Sequence, residues 1–436
     1  MKLSQFNIIS KIEHEDKFIV YNTYSTACVV LDNDTYTKIF IDMEFNREDS
    51  KIVYLLNNGI IVESQVNEVK LVENLRYHAM SKNIQNIVIL TTTECNARCY
   101  YCFEHGIKPI VMTKETADAV VEFCKEKYKD KTIAITWFGG EPLLNFEIIK
   151  YISSKLISEG YELESHVTTN GSLVTDEILE FFSTNYKKVS FQITLDDINE
   201  EYGKIKNYVD IPQEQAFERV INNVKNIIKN KIKLLIRVNF AASKIEKAKK
   251  VYSEIIELLN GCDLSNVNIY MAPLSLNCDR EIISNFSGDI EHPFLQMVKK
   301  QREEGFSLQE IHAIGEVSIL SSYNLSPTPI ACGMNMHSRI VVNADGKLYK
   351  CHRLVGSEKY CVGNVFDGVD VNNKIFNFFE KIEVTDSECL NCNVLPICQE
   401  GCKYSRLTYG EKQKCSRIKQ VKEELVRLYY KEISKN

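Results

Sequence analysis

The chain has 436 residues, 44% hydrophobic and 26% charged, with 18 Gly, 8 Pro and a formal net charge of -6. That composition excludes a disordered or fibrous protein, and the mild acidity argues against a nucleic-acid binder, which carries a basic domain or stripe. No apolar run reaches the roughly 18 residues of a membrane span, and the opening MKLSQFNIISKIEHEDKF is too polar for a signal peptide, so a cytoplasmic protein without membrane contact is expected.

Residues 1–85 mix strand-like runs at Phe18 to Tyr21 and Ala27 to Leu31 with helical ones at Thr35 to Ile41 and Ser50 to Leu56. Asn57-Asn58-Gly59 is a turn signal and leads into the β-branched run Ile60-Ile61-Val62, giving a small α+β module similar to a winged helix. From residue 86 to 275 the pattern becomes regular. β-rich runs at Ile87 to Leu90, Ile133 to Phe138, His166 to Thr169, Val189 to Leu195, Leu234 to Phe240 and Val267 to Met271 alternate with amphipathic helical stretches, among them Lys114 to Lys127 and Gln215 to Ile228. Such alternation implies a parallel sheet with helices outside, doubly wound or closed as a barrel, with its chemistry at the carboxyl ends of the strands. A bridging region of mixed character, 276–330, precedes a cysteine-rich segment, 331–436, that shows little regular pattern before the charged helix Ser416 to Ile433.

The 15 cysteines are unevenly placed. Cys95, Cys99 and Cys102 form one cluster, eight more lie between Cys332 and Cys415, and Cys28, Cys124, Cys262 and Cys278 read as single buried thiols. In a reducing compartment, clustered cysteines are ligands for metals or redox cofactors rather than a disulfide framework.

Cys95-x3-Cys99-x2-Cys102 directly follows the first strand of the αβ series. Three thiolates on one loop can hold three irons of a [4Fe-4S] cluster and leave the fourth iron open. A zinc site wants four ligands, and His105 is the nearest fourth. With Tyr101 just before the last cysteine, the motif resembles the radical S-adenosylmethionine (SAM) superfamily, which narrows the fold class to an α/β partial (β/α)6 TIM-type barrel. The resemblance implies further roles. Tyr101 would lie near the adenine of SAM, and Gly139-Gly140-Glu141-Pro142 is similar to the segment that meets its amino group. Thr194, at the end of the fourth strand, would offer a hydroxyl. Lys206 replaces an arginine expected near the carboxylate, and Leu274 would pack on the adenine.

Cys332, Gly346-x4-Cys351, Cys389-x2-Cys392-x5-Cys398-x3-Cys402 and Cys415 resemble the SPASM domain of peptide-modifying radical SAM enzymes. The resemblance implies two auxiliary [4Fe-4S] clusters, three clusters in all. Cys389, Cys392, Cys398 and Cys415 would hold the outer one, and Cys332, Cys351 and Cys402 the inner one. Cys361 is the nearest thiol to complete the inner set; otherwise that site is open to a substrate thiolate. A pair of zinc ribbons is the alternative, since thiolate ligation suits both metals.

The N-terminal module resembles the precursor-recognition elements that add a leader peptide to a sheet edge. The whole is therefore expected to be a radical SAM/SPASM maturase of a ribosomally made precursor peptide, forming thioether crosslinks from cysteine sulfur to carbon by 5′-deoxyadenosyl-radical hydrogen abstraction. Flavodoxin or ferredoxin would supply electrons. Carbon–carbon crosslinking and anaerobic sulfatase maturation are the alternatives within the class, although His352 stands where sulfatase maturases carry an acid; it is also the one candidate base. From another class, a zinc-binding peptide adaptor remains open.

Overall fold

The N-terminal segment, in a computed structural model that describes residues 1–12, 15–81, 85–241, 244–274, 327–329, 332–336, 339–409 and 418–434, begins with short antiparallel strands. Most of the expected bridging region lies outside the described residues, as do Cys278 and Cys415. β1 (Lys2–Leu3) pairs with β5 (Ile61–Val62), while β2 (Asn7–Lys11), β3 (Lys17–Asn22) and β4 (Cys28–Asp32) form an antiparallel meander. Asp32 and Asp49 cap α1 (Asn33–Tyr36) and α2 (Ser50–Asn57) by accepting from Thr35 N and Lys51 N. Val20, Val29, Leu31, Ile52 and Leu55 fill the core between sheet and helices.

α3 (Glu68–Ser81) has no counterpart in the sequence expectation. Glu68, Glu73 and Arg76 are buried on it beside Val72 and Met80, so charges interrupt the apolar period that would announce the helix. They face a second core in which Phe6 and Val72 meet Val384, Cys389 and Leu395. A C-terminal helix, Ile418–Ile433, lies against β2 and β3: Arg427 Nε donates to Ser10 Oγ at 2.5 Å, and the Tyr429 ring meets Tyr21 edge to face with centroids 5.5 Å apart. Residues 1–82, 291–336 and 381–436 thus make one compact unit.

The second unit, residues 83–290 and 337–380, is built on a parallel sheet. Its strands are β6 (Asn86–Thr92), β7 (Thr132–Gly139), β8 (Glu162–Thr169), β9 (Lys188–Thr194), β10 (Lys233–Phe240) and β11 (Val267–Pro273). Between them run α4 (Lys114–Lys127), α5 (Phe146–Ser158), α6 (Asp176–Asn185), the pair α7 (Asn199–Lys206) and α8 (Gln213–Lys229), and α9 (Ile245–Leu258). Thr113 and Thr175 start α4 and α6 by accepting from the third residue on, Thr116 N and Ile178 N. Each strand pairs in parallel with the next in sequence, with no reversal of order; a doubly wound sheet would reverse, so the winding is that of a partial barrel. On β7, Ile133, Ile135 and Trp137 are buried under the helices, and Trp137 Nε1 donates to Tyr186 OH at 3.2 Å. Ala134, Thr136 and Phe138 alternate with them on the other face and line the barrel interior.

The sheet does not stop at β6. β12 (Ile340–Val342) pairs in parallel with it, Val341 opposite Val88, and β13 (Lys347–Tyr349), β14 (Gly363–Asn364) and β15 (Gly368–Val369) continue antiparallel to ten strands. Gly346, at φ +83°, makes the β12–β13 turn, where a Cβ would stand 3.0 Å from Val365. This addition covers what would be an open edge of apolar backbone. Compactness therefore divides the cysteine-rich segment between the two units. Among the described residues no helix is long and apolar enough to cross a membrane.

Candidate functional site

The loop after β6 is closed at its base by threonines. Thr92 Oγ1 donates to Ile110 O at 3.0 Å, Thr93 Oγ1 to Lys108 O at 2.8 Å, and Met112 N to Thr91 O at 2.9 Å. Cys95, Cys99 and Cys102 sit half-buried within it. The end of α7 and the segment after it brace the loop, Arg98 N donating to Lys206 O (2.8 Å) and Val209 N to Asn96 O (2.9 Å), and Asn170, just past β8, donates from Nδ2 to Asn96 Oδ1 (2.8 Å). Burial, ahead of the charges on Glu141, Cys99 and Cys102, pushes the Cys95 thiol up to about 12 despite an N–H bond from Ala97. A thiolate forms in such a place at neutral pH when a cationic metal pays the desolvation. Among the described residues no three His, Cys, Asp or Glu side chains converge on a point for a single metal ion. The ligands of a [4Fe-4S] cluster bind separate irons, and three soft sulfur donors on one loop fit it.

Gly139 and Gly140 press the end of β7 against this loop. A Cβ on Gly139 would fall 2.1 Å from Thr92 O and one on Gly140 2.2 Å from Glu94 O, and Glu141 N donates to Glu94 O at 2.8 Å. Gly139 also has φ +127°. The Glu141 carboxylate is fully buried and accepts from Thr169 Oγ1 (2.8 Å), Asn170 N (2.8 Å) and Leu143 N (3.1 Å). It ties the ends of β7 and β8 together. Burial raises its pKa to about 7 against those donors.

Under Cys99 lies a closed polar cluster. Lys206 is 1% exposed, and its three ammonium protons are matched by three acceptors: Asp196 Oδ2 at 2.6 Å, Thr194 Oγ1 at 2.6 Å and Tyr101 OH at 2.9 Å. Tyr101 OH in turn donates to Asp196 Oδ2 at 2.5 Å, and Asp196 Oδ1 accepts from Asn239 N at 3.1 Å. Burial works against the charge on Lys206, yet Asp196 and Cys99 keep its pKa above the ordinary lysine value. The sequence gives no role to Asp196, which organises all of this. Leu274, buried after β11, donates its N–H to Phe240 O at 2.8 Å. A cleft of about 400 Å³ opens nearby, lined among others by Asp196, Asn239, Phe240 and Lys247.

His352 packs inside the second unit with its ring 5.0 Å from Phe138 and 5.8 Å from Phe103. Burial, then the charges of Arg353, Arg339 and Arg237, brings its pKa down to about 4, so the ring is neutral at pH 7. Glu104, two residues past Cys102, is raised to about 7 by burial, and its Oε1 is buried without a hydrogen-bond partner. Nothing in the sequence marked Phe103, Phe138 or Glu104.

Of the auxiliary cysteines, Cys351 is buried in the second unit, and Cys361 Sγ there donates to Gly363 O at 3.1 Å. The first unit carries Cys332, exposed, and the run Cys389, Cys392, Cys398 and Cys402; Cys415 lies outside the described residues. Burial pushes the Cys389 thiol up to about 12 against the pull of Arg406. Arg406 Nη2 donates to Cys389 Sγ at 3.2 Å and Nη1 to Asp386 at 2.8 Å. A guanidinium on a sulfur suits a thiolate ligand, so this donor set too fits an iron–sulfur cluster.

The barrel, with a three-cysteine loop at the carboxyl end of its first strand, defines a radical SAM domain, and residues 89–240 match the Radical SAM superfamily. A cysteine-type anaerobic sulfatase-maturating enzyme from Clostridium novyi is 25% identical over 349 residues, 74% of this chain and 89% of that protein. The radical SAM cyclopropyl synthase TigE of Paramaledivibacter caminithermalis is 21% identical over 469 residues, 94% of this chain and 93% of that one. Two solved structures share the fold: anSMEcpe with bound AdoMet (TM-score 0.58, 18% identity, 80% of this chain and 98% of that one) and Streptococcus suis SuiB bound to S-adenosylmethionine (0.51, 15%, 93% and 96%). The chain thus carries a radical SAM domain and is similar over most of its length to peptide and sulfatase maturases, and that domain implies a [4Fe-4S] cluster and SAM.

Proposed function

We propose that the chain modifies a ribosomally made precursor peptide by closing thioether bonds from cysteine sulfur to carbon. The observation that carries the peptide reading is the meander joined to a cysteine-rich unit: β4 is an edge strand, with Val30 38% exposed, open to a leader peptide by strand addition. The whole-length similarity to TigE supports a ring-forming maturase.

Cys95, Cys99 and Cys102 would hold the SAM-binding cluster, and Cys332, Cys351, Cys389, Cys392, Cys398, Cys402 and Cys415 the auxiliary ones. When bound, the first cluster and SAM would supply the one-electron chemistry that removes hydrogen from an unactivated carbon, and the auxiliary clusters would be acceptors for the electron that a two-hydrogen loss leaves over. The chain's own groups do the rest. The Gly139-Gly140 backbone gives SAM close access. Lys206 has no proton left for a ligand, so the Thr194 hydroxyl is the donor free to meet the SAM carboxylate. Lys206 instead pins the Tyr101 ring through its hydroxyl. Leu274 offers an apolar surface. Phe103 and Phe138 keep water from the barrel interior, and the neutral His352 ring packs against both.

The test is coexpression with a short cysteine-containing peptide encoded beside this chain, followed by mass spectrometry. A loss of two hydrogens for each alkylatable thiol that disappears supports the thioether. The same mass loss with every thiol still alkylatable points to carbon–carbon bonds, and an unchanged peptide overturns the proposal.

A further inference from the structure

Between Cys398 and Cys402 the backbone makes an uncommon turn. Gln399, Glu400 and Gly401 follow one another at φ 52°, 65° and 72°, and two of them carry side chains that this conformation strains, by about 1–2 kcal/mol each. Strain persists where neighbours over-determine it, and it gathers at functional sites. The neighbour here comes from the other end of the chain. Arg76 of α3 donates from Nε to Gln399 Oε1 at 2.6 Å and from Nη1 to Glu400 Oε2 at 2.8 Å and Ile382 O at 3.0 Å. Its side chain is 5% exposed.

Other links join the same two regions. Glu73 accepts from Val384 N at 2.9 Å, and Thr23 Oγ1 donates to Asn393 O at 2.6 Å, while Asn393 Nδ2 reaches Asn7 O at 3.1 Å. Cys389 belongs to the core that contains Phe6 and Val72, and Cys392 packs on it. Arg76 Nη2, finally, is buried with no hydrogen-bond partner. A buried guanidinium nitrogen left over beside a cysteine turn is a donor suited to a metal-bound sulfur, which the protein's own groups do not replace.

We propose that Arg76, though part of the N-terminal module, is a positioning residue for the turn that joins Cys398 of the outer auxiliary site to Cys402 of the inner one, so that loading these sites and ordering the module are one linked equilibrium. The proposal rests on the auxiliary-cluster reading above. Linkage is reciprocal: whatever holds the module in its folded form, a bound peptide included, strengthens metal retention by the factor that metal strengthens the module. In the unloaded chain the strained turn relaxes, Arg76 loses its acceptors, and the shared core around Phe6 loosens with it.

The experiment uses the full chain with Cys95, Cys99 and Cys102 all replaced by alanine, so that any iron belongs to the auxiliary sites. Amide exchange over residues 17–32 and 68–81 is compared between the anaerobically isolated protein and the same protein stripped by chelator. Exchange about tenfold slower in the iron-loaded form is expected. Equal exchange in loaded and stripped protein overturns the linkage while leaving the cluster reading intact; no iron in the isolated protein overturns both. Arg76→Met should release iron to chelator several-fold faster and shift the reduction potential of the auxiliary clusters downward, since an N–H donor and a positive charge near sulfur favour the reduced form. Wild-type release and potential in that variant overturn the role of Arg76. If Arg76→Met does not fold, Thr23→Val serves, with iron release about two- to threefold faster in support and a wild-type rate against.

Discussion

Each cysteine loop leans on a buried cation that arrives from a distant helix, and the two cations do their work differently. Lys206 is a point charge with every proton taken by side chains, Asp196, Thr194 and Tyr101. Arg76 is a planar fork that spreads over Gln399, Glu400 and a backbone carbonyl and keeps one nitrogen in reserve. A saturated lysine can only lock its surroundings, whereas a fork with an unused donor can lock and still answer to what binds. The difference teaches that the first loop is set before its ligand arrives, and the second is completed by it.

Variants can break or sharpen that contrast. The largest effect belongs to replacing Cys95, Cys99 and Cys102 together with alanine, which should abolish 5′-deoxyadenosine formation from SAM while leaving the auxiliary iron; product formation by chromatography checks it. Lys206→Met removes one half of a pair whose side chains are 1% and 2% exposed, stranding Asp196, and should cost about 3–5 kcal/mol in denaturant unfolding. Lys206→Arg should not restore the wild type, because the cage around a point charge has no room for a fork. Thr194→Val should weaken SAM binding about tenfold or more, read by calorimetry, with stability changed less than in Lys206→Met.

Protonation separates the site further. The folded pKa of His352 lies below its ordinary 6.5, at about 4, so its contribution to stability is present above pH 6.5 and is lost as the pH falls toward 4. Glu141, raised from 4.5 to about 7, has the opposite sign: its contribution is full below 4.5 and is lost as the pH rises through 7. Melting scans from pH 4 to 8 should show His352→Gln flattening the acid side. The smallest effect is a control: Lys187→Met, at a pair with Glu162 whose side chains are 59% and 60% exposed, should change stability by less than about 1 kcal/mol.

The barrel was legible because short β-rich runs alternate with amphipathic helices, two of which open on a threonine cap, Thr113 and Thr175. The three-cysteine loop was legible from spacing alone. What stayed hidden depends on where charges point. α3 conceals itself because Glu73 and Arg76 face inward, and the sequence cannot show that they face residues more than 300 positions away. Lys206 is expected near a carboxylate, and only the folded chain reveals that its ammonium also bonds Asp196, Thr194 and Tyr101. The turn at Gln399 to Gly401 has a single glycine, so nothing announces three left-handed residues in a row.

The pairing of β12 with β6 sets an order of events at the ribosome. Ile340 meets Ile87, about 250 residues earlier in the chain. At roughly 5–20 residues per second, the hydrophobic edge of β6 waits on the order of 10 to 50 seconds for its covering strand to be made. Throughout that interval the nascent barrel presents a bare strand to any neighbour that could pair with it. Production of this protein is therefore expected to depend on brisk translation or chaperone cover more than its finished stability would suggest.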